Sequence, residues 1–399
     1  MLSQALKLIW NRRRSNWLII VEIAAAFAAA FVLLTMTVSY FSHFRRPLGF
    51  TYENVWAIEL RATENAWDGA VQTVEDVLAA LRGLPGVEAA HRIMITPFSS
   101  SSWSAEYGAD AASLVVTPVN QATAEGLAAL GVRLLEGRWF GPEDEGRPYM
   151  PVLVNRTFVE RAFGPGVSPI GKNIYHDGGS SPEVRVVGVI EDFRQFGELA
   201  ESVPYAIHTY AVDSPFLRVW LPGSVFIKVA PGTPAAFEER VFDTVKAIVP
   251  EEWDVQIMPW EERRRSLNAR TLAPLKAGAT LGAFLLLMVA LGLIGVLWQD
   301  VVRRTEEIGL RRAVGAEARS IRRQILLETS TLAVLGIAAG SVLAVQFPLL
   351  GIIPQLRWAA ALPGLVLASA LILALVLASA LYPSRLAALR EPADALRYE

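Results

Sequence analysis

The segment Val301–Gly315 has the sequence VVRRTEEIGLRRAVG, and it decides how the rest of the chain is arranged. It lies between two long apolar runs, Ala277–Trp298 and Ile325–Leu350. The segment is too charged to lie in lipid, where each ionisable group is costly. It is also too short to form a domain. We therefore interpret it as a connection between two membrane-spanning helices.

Within this segment, Arg303, Glu307 and Arg311 recur every four residues, so that opposite charges can pair along one face of a helix. Gly315 stands where a helix C-cap is expected. Two interpretations are open at this point. The segment is either a solvated hairpin between helices, or a short docking helix that presents charges and a few apolar side chains to a soluble partner.

The run RRTEEIGLRRAVGA, followed by RSIRRQILLE at 319–328, resembles the signature of FtsX/MacB-type ABC transporter permeases. In that family the segment is a cytoplasmic loop with a coupling helix that meets an ATPase subunit. The resemblance implies that the ATPase-contacting residues are Arg303, Arg304, Glu306, Glu307, Gly309, Arg311, Arg312 and Gly315.

Composition supports a chain that is partly membrane and partly soluble. Apolar residues make up 53% of the 399 residues, and charged residues make up 19%, below the usual ~25% of soluble domains. The net charge of −2 gives no electrostatic case for binding nucleic acid. Cysteine is absent, which excludes disulfides, thiol catalysis and cysteine-bound metals.

The N-terminus predicts a membrane anchor. A basic segment without acids, 1–16, precedes the apolar run Trp17–Phe41. The competing interpretation is a cleaved signal peptide, but its apolar core would be only about 7–15 residues long, so we favour a retained span. The positive-inside rule keeps the basic end in the cytoplasm. Glu22 lies inside this span, either as a functional group or as a side chain that reaches the interface.

Three further apolar runs follow, which gives a predicted protein with four transmembrane helices and both termini in the cytoplasm. Within the spans, two Gly-x-x-x-Gly pairs favour close helix packing. They are Gly278 with Gly282 and Gly336 with Gly340. The predicted layout is a cytoplasmic segment 1–16, helices 17–42, 271–298, 325–350 and 359–382, an extracytoplasmic domain 43–270, a coupling loop 299–324 and a cytoplasmic tail 383–399.

The extracytoplasmic domain is predicted to be α+β, with two split β-α-β units and a β-rich insertion at about 114–210. The first unit is predicted over 55–95 and the second over 225–258. The phrases LLEGRWF (134–140), PIGK (169–172) and VVGVIEDF (186–193) resemble the periplasmic core domain of MacB-type permeases. The tracts Ser99–Ser104 and Gly178–Pro182 are predicted to be loops.

A charged helix is predicted from Pro259 to Lys276, leading directly into the second span, with a kink at Pro274. Such a helix would act as a stiff lever. Apart from Glu22 and Glu328, we expect the spans to lack buried charge, so a polar path across the bilayer is hard to build. This favours force transmission over a channel.

Motifs for chemistry are weak. The run Gly166–Asn173 nearly matches a phosphate-binding loop, but Asn173 replaces the required Ser or Thr, and Pro169 lies inside the run. The four histidines show no metal-binding spacing. We expect no catalytic or metal site, and no cofactor in this chain. ATP and Mg²⁺ would bind in a separate ATPase subunit.

The sequence therefore predicts a bacterial inner-membrane permease subunit that couples ATP hydrolysis by its partner to movement of the periplasmic domain. The substrate class is left open among peptide, antibiotic and lipid-like molecules. Expected partners are the ATPase, a second identical or homologous permease, membrane lipid and a periplasmic adaptor, with no nucleic acid. The alternatives are a membrane-anchored ligand sensor or scaffold, an anchored hydrolase, and a regulator of cell-wall hydrolases.

Overall fold

The structure is a computed structural model that describes residues 13–61, 69–176, 183–209, 223–351 and 353–389. The predicted loop Gly178–Pro182 and most of the segment 1–16 lie outside these residues, as does the end of the tail from 390 onward. The chain forms two compact units. The membrane unit consists of Met1–Ser42 and Leu272–Glu399, and the extracytoplasmic unit consists of His43–Thr271.

The described part of the chain contains both α-helices and β-strands. The helices are α1 (Arg13–Phe44), α2 (Ala70–Arg82), α3 (Ala124–Ala129), α4 (Arg156–Ala162), α5 (Phe237–Lys246), α6 (Trp260–Arg303), α7 (Thr305–Ala313), α8 (Ala318–Ala344), α9 (Gln346–Leu350) and α10 (Trp358–Leu389). The strands are β1 (Val55–Arg61), β2 (Val87–Ile93), β3 (Trp103–Gly108), β4 (Val115–Ala122), β5 (Leu134–Gly137), β6 (Tyr149–Asn155), β7 (Asn173–His176), β8 (Glu183–Ile190), β9 (Ala206–Thr209), β10 (Gly223–Val229) and β11 (Asp254–Pro259).

Four helical segments are long and apolar enough to cross a membrane: Trp17–Phe44, Trp260–Arg303, Ala318–Leu350 and Trp358–Leu386. This confirms the predicted fold class of four membrane helices with an α+β domain. The third span is interrupted at Val345, between α8 and α9. The ring of Pro348 would clash with the carbonyl of Ala344 four residues earlier, which explains why α8 ends there. Helix α6 continues through Pro274, the position of the predicted kink.

The membrane unit packs around α1. A Cβ atom added to Gly278 of α6 would lie 2.8 Å from the side chain of Leu33, and one added to Gly282 would lie 2.7 Å from it. One added to Gly336 of α8 would lie 2.5 Å from Ile23, and one added to Gly340 would lie 2.7 Å from Phe27. Both glycine pairs therefore lie against α1, where only a glycine fits without a shift of the neighbouring helix.

The extracytoplasmic unit contains two interlocked split β-α-β units. Strand β1 pairs antiparallel with both β10 and β11, and β10 pairs antiparallel with β2. The order β11-β1-β10-β2 therefore places a strand of each unit between the two strands of the other. The predicted β-α-β units are present, but neither of them could form its sheet alone.

Both faces of this four-stranded layer are buried. Trp56, Ile58 and Leu60 of β1 pack beneath α2 and α5. Val55 and Ala57 point to the opposite face, where a second core contains Phe50, Phe98, Phe193, Phe226 and Trp260. Successive side chains of a strand alternate between faces, so β1 contributes to two cores at once.

The insertion forms a closed ring of six strands in the order β4-β3-β7-β8-β6-β9, and β9 pairs in parallel with β4 to close it. An apolar core that includes Val152, Val154 and Phe158 fills the ring. Strand β3 precedes the predicted start of the insertion at 114, and Trp103 and Ser104 belong to this strand rather than to a serine-rich loop. The predicted start was wrong because the serine run masked the β-forming WSAEYG sequence behind it.

Candidate functional site

The segment with which the sequence analysis began forms a separate helix between two spans. Helix α6 ends at Arg303, the chain turns at Arg304, and α7 follows over Thr305–Ala313. Gly315 closes α7 with a φ of 97°. The amide of Ala316 donates to the carbonyl of Arg311 at 3.0 Å, which is the hydrogen bond of a Schellman C-cap. A substitution at Gly315 would be strained, because L residues disfavour positive φ.

A small apolar cluster fixes α7 against the start of α8. Val301, Ile308 and Ile321 are buried together, with Ile325 packed beside them. They line one side of a cavity of about 70 Å³ between the end of α6, α7 and α8. The cluster requires α7 to fold back on α8, so the segment is not an open solvated hairpin.

Polar side chains reinforce the same contact. Arg304 Nη1 lies 3.0 Å from Glu328 Oε2 on α8. Gln324 Nε2 donates to Glu328 Oε1 at 3.0 Å, and Gln324 Oε1 accepts from Arg311 Nη1 at 3.0 Å. Arg311 Nη2 also binds Glu307 at 2.6 Å. These bonds form a chain from the turn at Arg304 to α8 and back to α7, which we call the elbow network.

The predicted contact residues do not all point outward. Arg304 is half-buried in the elbow network and Gly309 is buried, whereas Arg303 and Gly315 are exposed. The predicted pairing of Glu307 with Arg311 is present. The prediction that Arg303 shares their helix face was wrong, because the turn at Arg304 separates α6 from α7. The side chains of Glu306 and Arg312 lie outside the described residues.

Two apolar side chains on α7 and its C-cap are exposed. Leu310 is 59% exposed and Val314 is 83% exposed. They are four residues apart, so they lie on one face of the helix. A docking helix with a few exposed apolar side chains was one of the two interpretations of this segment, but Leu310 and Val314 were not among the predicted contact residues. Their spacing relative to buried Ile308 was the signal that could have found them.

The first part of α6, up to Thr271, belongs to the extracytoplasmic unit. Trp260 is fully buried and packs edge-on against Phe50, with ring centroids 6.0 Å apart. Arg263 forms an ion pair with Glu59 of β1 and donates to Thr96 Oγ1 at 2.9 Å. The first turn of α6 is therefore held by both packing and charge.

Two features of the extracytoplasmic unit bear on catalysis. The run Gly166–Asn173 leads into strand β7, which starts at Asn173, whereas a phosphate-binding loop requires a helix after it.

Inside the strand ring, Tyr107 Oη and His208 Nε2 share a hydrogen bond of 3.1 Å. Burial lowers the pKa of His208 to about 4 and raises that of Tyr107 to about 12, so the pair is neutral at pH 7. Among the described residues, no group of three or more His, Asp or Glu could hold a metal.

In the membrane unit, Glu22 of α1 lies against Gly292 of α6. A Cβ atom added to Gly292 would lie 3.1 Å from Glu22 Oε1. The glycine therefore leaves room for the carboxyl group beside the α6 backbone.

Comparison with known proteins places the chain in a family. A model of the MacB-like periplasmic core domain matches residues 18–242, and a model of the FtsX-like permease C-terminal domain matches residues 279–392. The first match alone covers more than half of the chain. The chain belongs to the FtsX/MacB-type permeases. Its membrane spans and its extracytoplasmic domain are those of an ABC transporter permease component.

Two curated relatives illustrate the relationship. The chain is 28% identical over 277 residues to the macrolide export ATP-binding/permease protein MacB of Bdellovibrio bacteriovorus, covering 66% of this chain and 41% of that protein. It is 28% identical over 280 residues to MacB 1 of Aeromonas hydrophila, covering 69% of this chain and 41% of that protein. The chain thus spans less than half the length of these FtsX/MacB relatives.

A solved structure is also similar. The periplasmic region of MacB from Actinobacillus actinomycetemcomitans matches 57% of this chain and 98% of that structure, with 14% identity and a TM-score of 0.37. The assignment to the FtsX/MacB family depends on the two domain matches.

Proposed function

We propose that this chain transmits motion from a separate ATPase subunit to its own extracytoplasmic domain. The observation that carries the proposal is the continuity of α6. One helix starts at buried Trp260 in the extracytoplasmic unit and ends at Arg303, and the single residue Arg304 separates it from α7. A helix of 44 residues is about 66 Å long at ~1.5 Å per residue, which is more than a bilayer needs.

Helix α7 is the proposed docking element for the ATPase. Its exposed Leu310 and Val314 would enter an apolar groove, and the flanking charges of Arg303, Glu306 and Arg312 would set the orientation. The elbow network stiffens α7 against α8, so force applied to α7 would reach the spans rather than bend the loop. ATP and Mg²⁺ bind in the partner, and this chain contributes no catalytic group.

The wider assembly follows from the same proposal. Two permeases, identical or homologous, would pair in the bacterial inner membrane, with the large domain in the periplasm and a periplasmic adaptor as a further partner. The exposed apolar residues of α6, such as Leu281, Phe284 and Leu291, would face lipid or the second permease. The relatives are named for macrolide export, so we propose export of an antibiotic, peptide or lipid-like substrate.

The test starts with purification of the full chain from its native membranes. We expect an ATPase with a phosphate-binding loop to co-elute, and its hydrolysis rate to rise when the chain is present in lipid nanodiscs. The double substitution Glu306→Lys with Glu307→Lys should abolish this stimulation while the chain still folds. Normal stimulation by the double variant, or the absence of an associated ATPase, would overturn the proposal.

A further inference from the structure

The loop between β8 and β9, Asp192–Ser202, contacts three separate parts of the extracytoplasmic unit through polar groups that are buried or half-buried. We call it the junction loop. One part is the connector His43–Pro47, which comprises the last two residues of α1 and the three residues after it, and another is the start of α6. The third part is helix α4 of the strand ring. Each contact involves a different side chain of the loop.

Arg194 binds the connector. Its Nη1 donates to the backbone carbonyls of His43 at 3.0 Å and Arg46 at 2.9 Å. Its Nη2 donates within the loop to the backbone carbonyls of Glu198 at 2.8 Å and Ala200 at 2.6 Å. Arg194 is only 4% exposed. Because a buried guanidinium depends on such carbonyls for its stability, the connector is held in one position relative to the loop.

Glu198 binds α6. Its Oε1 accepts from Arg264 Nη2 at 2.6 Å and from Asn268 Nδ2 at 2.7 Å, one turn apart on that helix. Burial opposes ionisation of this carboxyl, but the hydrogen bonds from Arg264 and Asn268 outweigh it and lower the pKa of Glu198. Gly197 adds close packing, since a Cβ atom there would lie 3.3 Å from Leu267.

Asp192 binds the strand ring. It accepts from the Thr157 amide at 3.0 Å, from Thr157 Oγ1 at 2.9 Å and from Ser202 Oγ at 2.7 Å. Thr157 lies in the first turn of α4, where a carboxylate is stabilised by unpaired amides and the helix dipole. Phe193 adds an aromatic contact, stacked on Tyr205 at 5.2 Å.

We propose that the junction loop links movement of α6 to the connector and to the strand ring, with Arg194 and Glu198 as its positioning residues. The inference rests on the proposed function, because it describes how motion received by α6 spreads within the extracytoplasmic unit. Leaving a buried charge without its partner is costly. When α6 shifts, Glu198 therefore moves with Arg264, and Arg194 moves the connector with it.

The first experiment needs no ATPase. Hydrogen–deuterium exchange of the full chain in nanodiscs is compared for wild type, Glu198→Gln and Glu201→Gln. Glu201 is the matched control, since it lies in the same loop and pairs with Arg161 at a more exposed site. The Glu198 carboxylate binds Arg264 and Asn268 of α6, and yet we expect Glu198→Gln to speed exchange of the connector at 43–47 roughly tenfold. Glu201→Gln should leave connector exchange unchanged.

The reverse variant, Arg194→Lys, should speed exchange at 260–270 in α6, because coupling between two sites is reciprocal. Asn268→Ala is a milder variant if Glu198→Gln unfolds the domain. It should raise connector exchange by a smaller factor. If exchange rises only within 192–202 and at the substituted side chain's own partners, the loop is a local support and the inference is wrong.

A second readout separates this inference from the proposed function. In the complex with the co-purified ATPase, Glu198→Gln should retain ATPase binding and lose at least half of the nucleotide-dependent change in connector exchange. A wild-type response in this variant would overturn the junction loop's role while leaving the coupling proposal intact. If no ATPase binds the chain, the coupling proposal fails, and the exchange experiment without the ATPase still decides whether the loop links these elements.

Discussion

Arg304 Nη1 lies 3.0 Å from Glu328 Oε2, which joins the turn between α6 and α7 to the third turn of α8. Both side chains are about one-fifth exposed, so water screens the pair only in part. Glu328 also accepts from Gln324, which in turn binds Arg311. The Glu328 carboxylate of α8 thus fixes the orientation of the proposed docking helix.

Breaking this ion pair should uncouple the ATPase without preventing its binding. For Glu328→Gln we expect a loss of about 1–2 kcal/mol in local stability and a severalfold lower stimulation of ATP hydrolysis, measured in nanodiscs. Arg322→Gln, an exposed change on the same helix, is the control. The double variant Arg304→Glu with Glu328→Arg restores an ion pair with reversed charges, so it should recover part of the stimulation. Full stimulation by Glu328→Gln would show that the pair has no role in coupling.

The exposed apolar pair on α7 should determine affinity for the ATPase. Leu310→Asp or Val314→Asp would place a charge where we propose an apolar groove, so binding measured by co-purification or interferometry should weaken at least roughly tenfold. Ser320→Asp adds the same charge to the first turn of α8, where an acid is tolerated, and should bind normally. Equal affinity of all three variants would exclude this face as the docking surface.

Close packing of α8 on α1 predicts a steric effect. In Gly336→Ala, the new methyl group would lie 2.5 Å from Ile23 Cγ2, and we expect a destabilisation of about 1–3 kcal/mol. Gly295→Ala on α6 is the matched control, because no heavy atom lies within 4 Å of its added Cβ. Thermal unfolding in detergent measures both. Adding Ile23→Ala to Gly336→Ala should restore part of the loss, and failure to do so would argue against this contact.

Buried His208 predicts a specific pH dependence of stability. Its pKa is about 4 in the folded chain against 6.5 for an unperturbed histidine, because burial disfavours the charged form. Below about pH 6.5 the unfolded chain binds a proton that the folded chain does not. The stability contribution is therefore complete above about pH 6.5 and is lost as the pH falls toward 4.

The expected loss between about pH 7 and pH 5 is roughly 2 kcal/mol from this group. Denaturant unfolding of the full chain, followed by tryptophan fluorescence, measures it. His208→Gln should flatten the profile in this range, whereas the part of the profile below about pH 4.5, to which Glu198 contributes, should persist. An unchanged slope in His208→Gln would show that His208 is accessible to protons in the folded chain.

Sequence patterns located most of the local elements. The first β-α-β unit was predicted over 55–95, and the structure places β1, α2 and β2 within these bounds. Patterns of this kind report which side chains are buried on one element, and they carry no record of the neighbouring element. The pairing of β1 with β10, 168 residues later in the sequence, was therefore outside their reach.

The candidate site shows the same division. The charge run and Gly315 were sufficient to predict a helix and its C-cap. Which of the two adjacent arginines turns inward was not predictable, because it depends on Glu328 of α8 reaching Arg304 across the turn. The exposed position of Leu310 likewise follows from how α7 packs on α8.

The sequence by itself determined the four spans, the α+β extracytoplasmic domain and the family, because hydrophobic length, periodicity and local motifs are properties of contiguous residues. The tertiary structure alone decided the interlocking of the two β-α-β units, the closure of the strand ring, and the meeting of the connector, α6 and α4 at the junction loop. Each of these depends on groups that are distant in sequence and meet only when burial forces polar atoms to find partners.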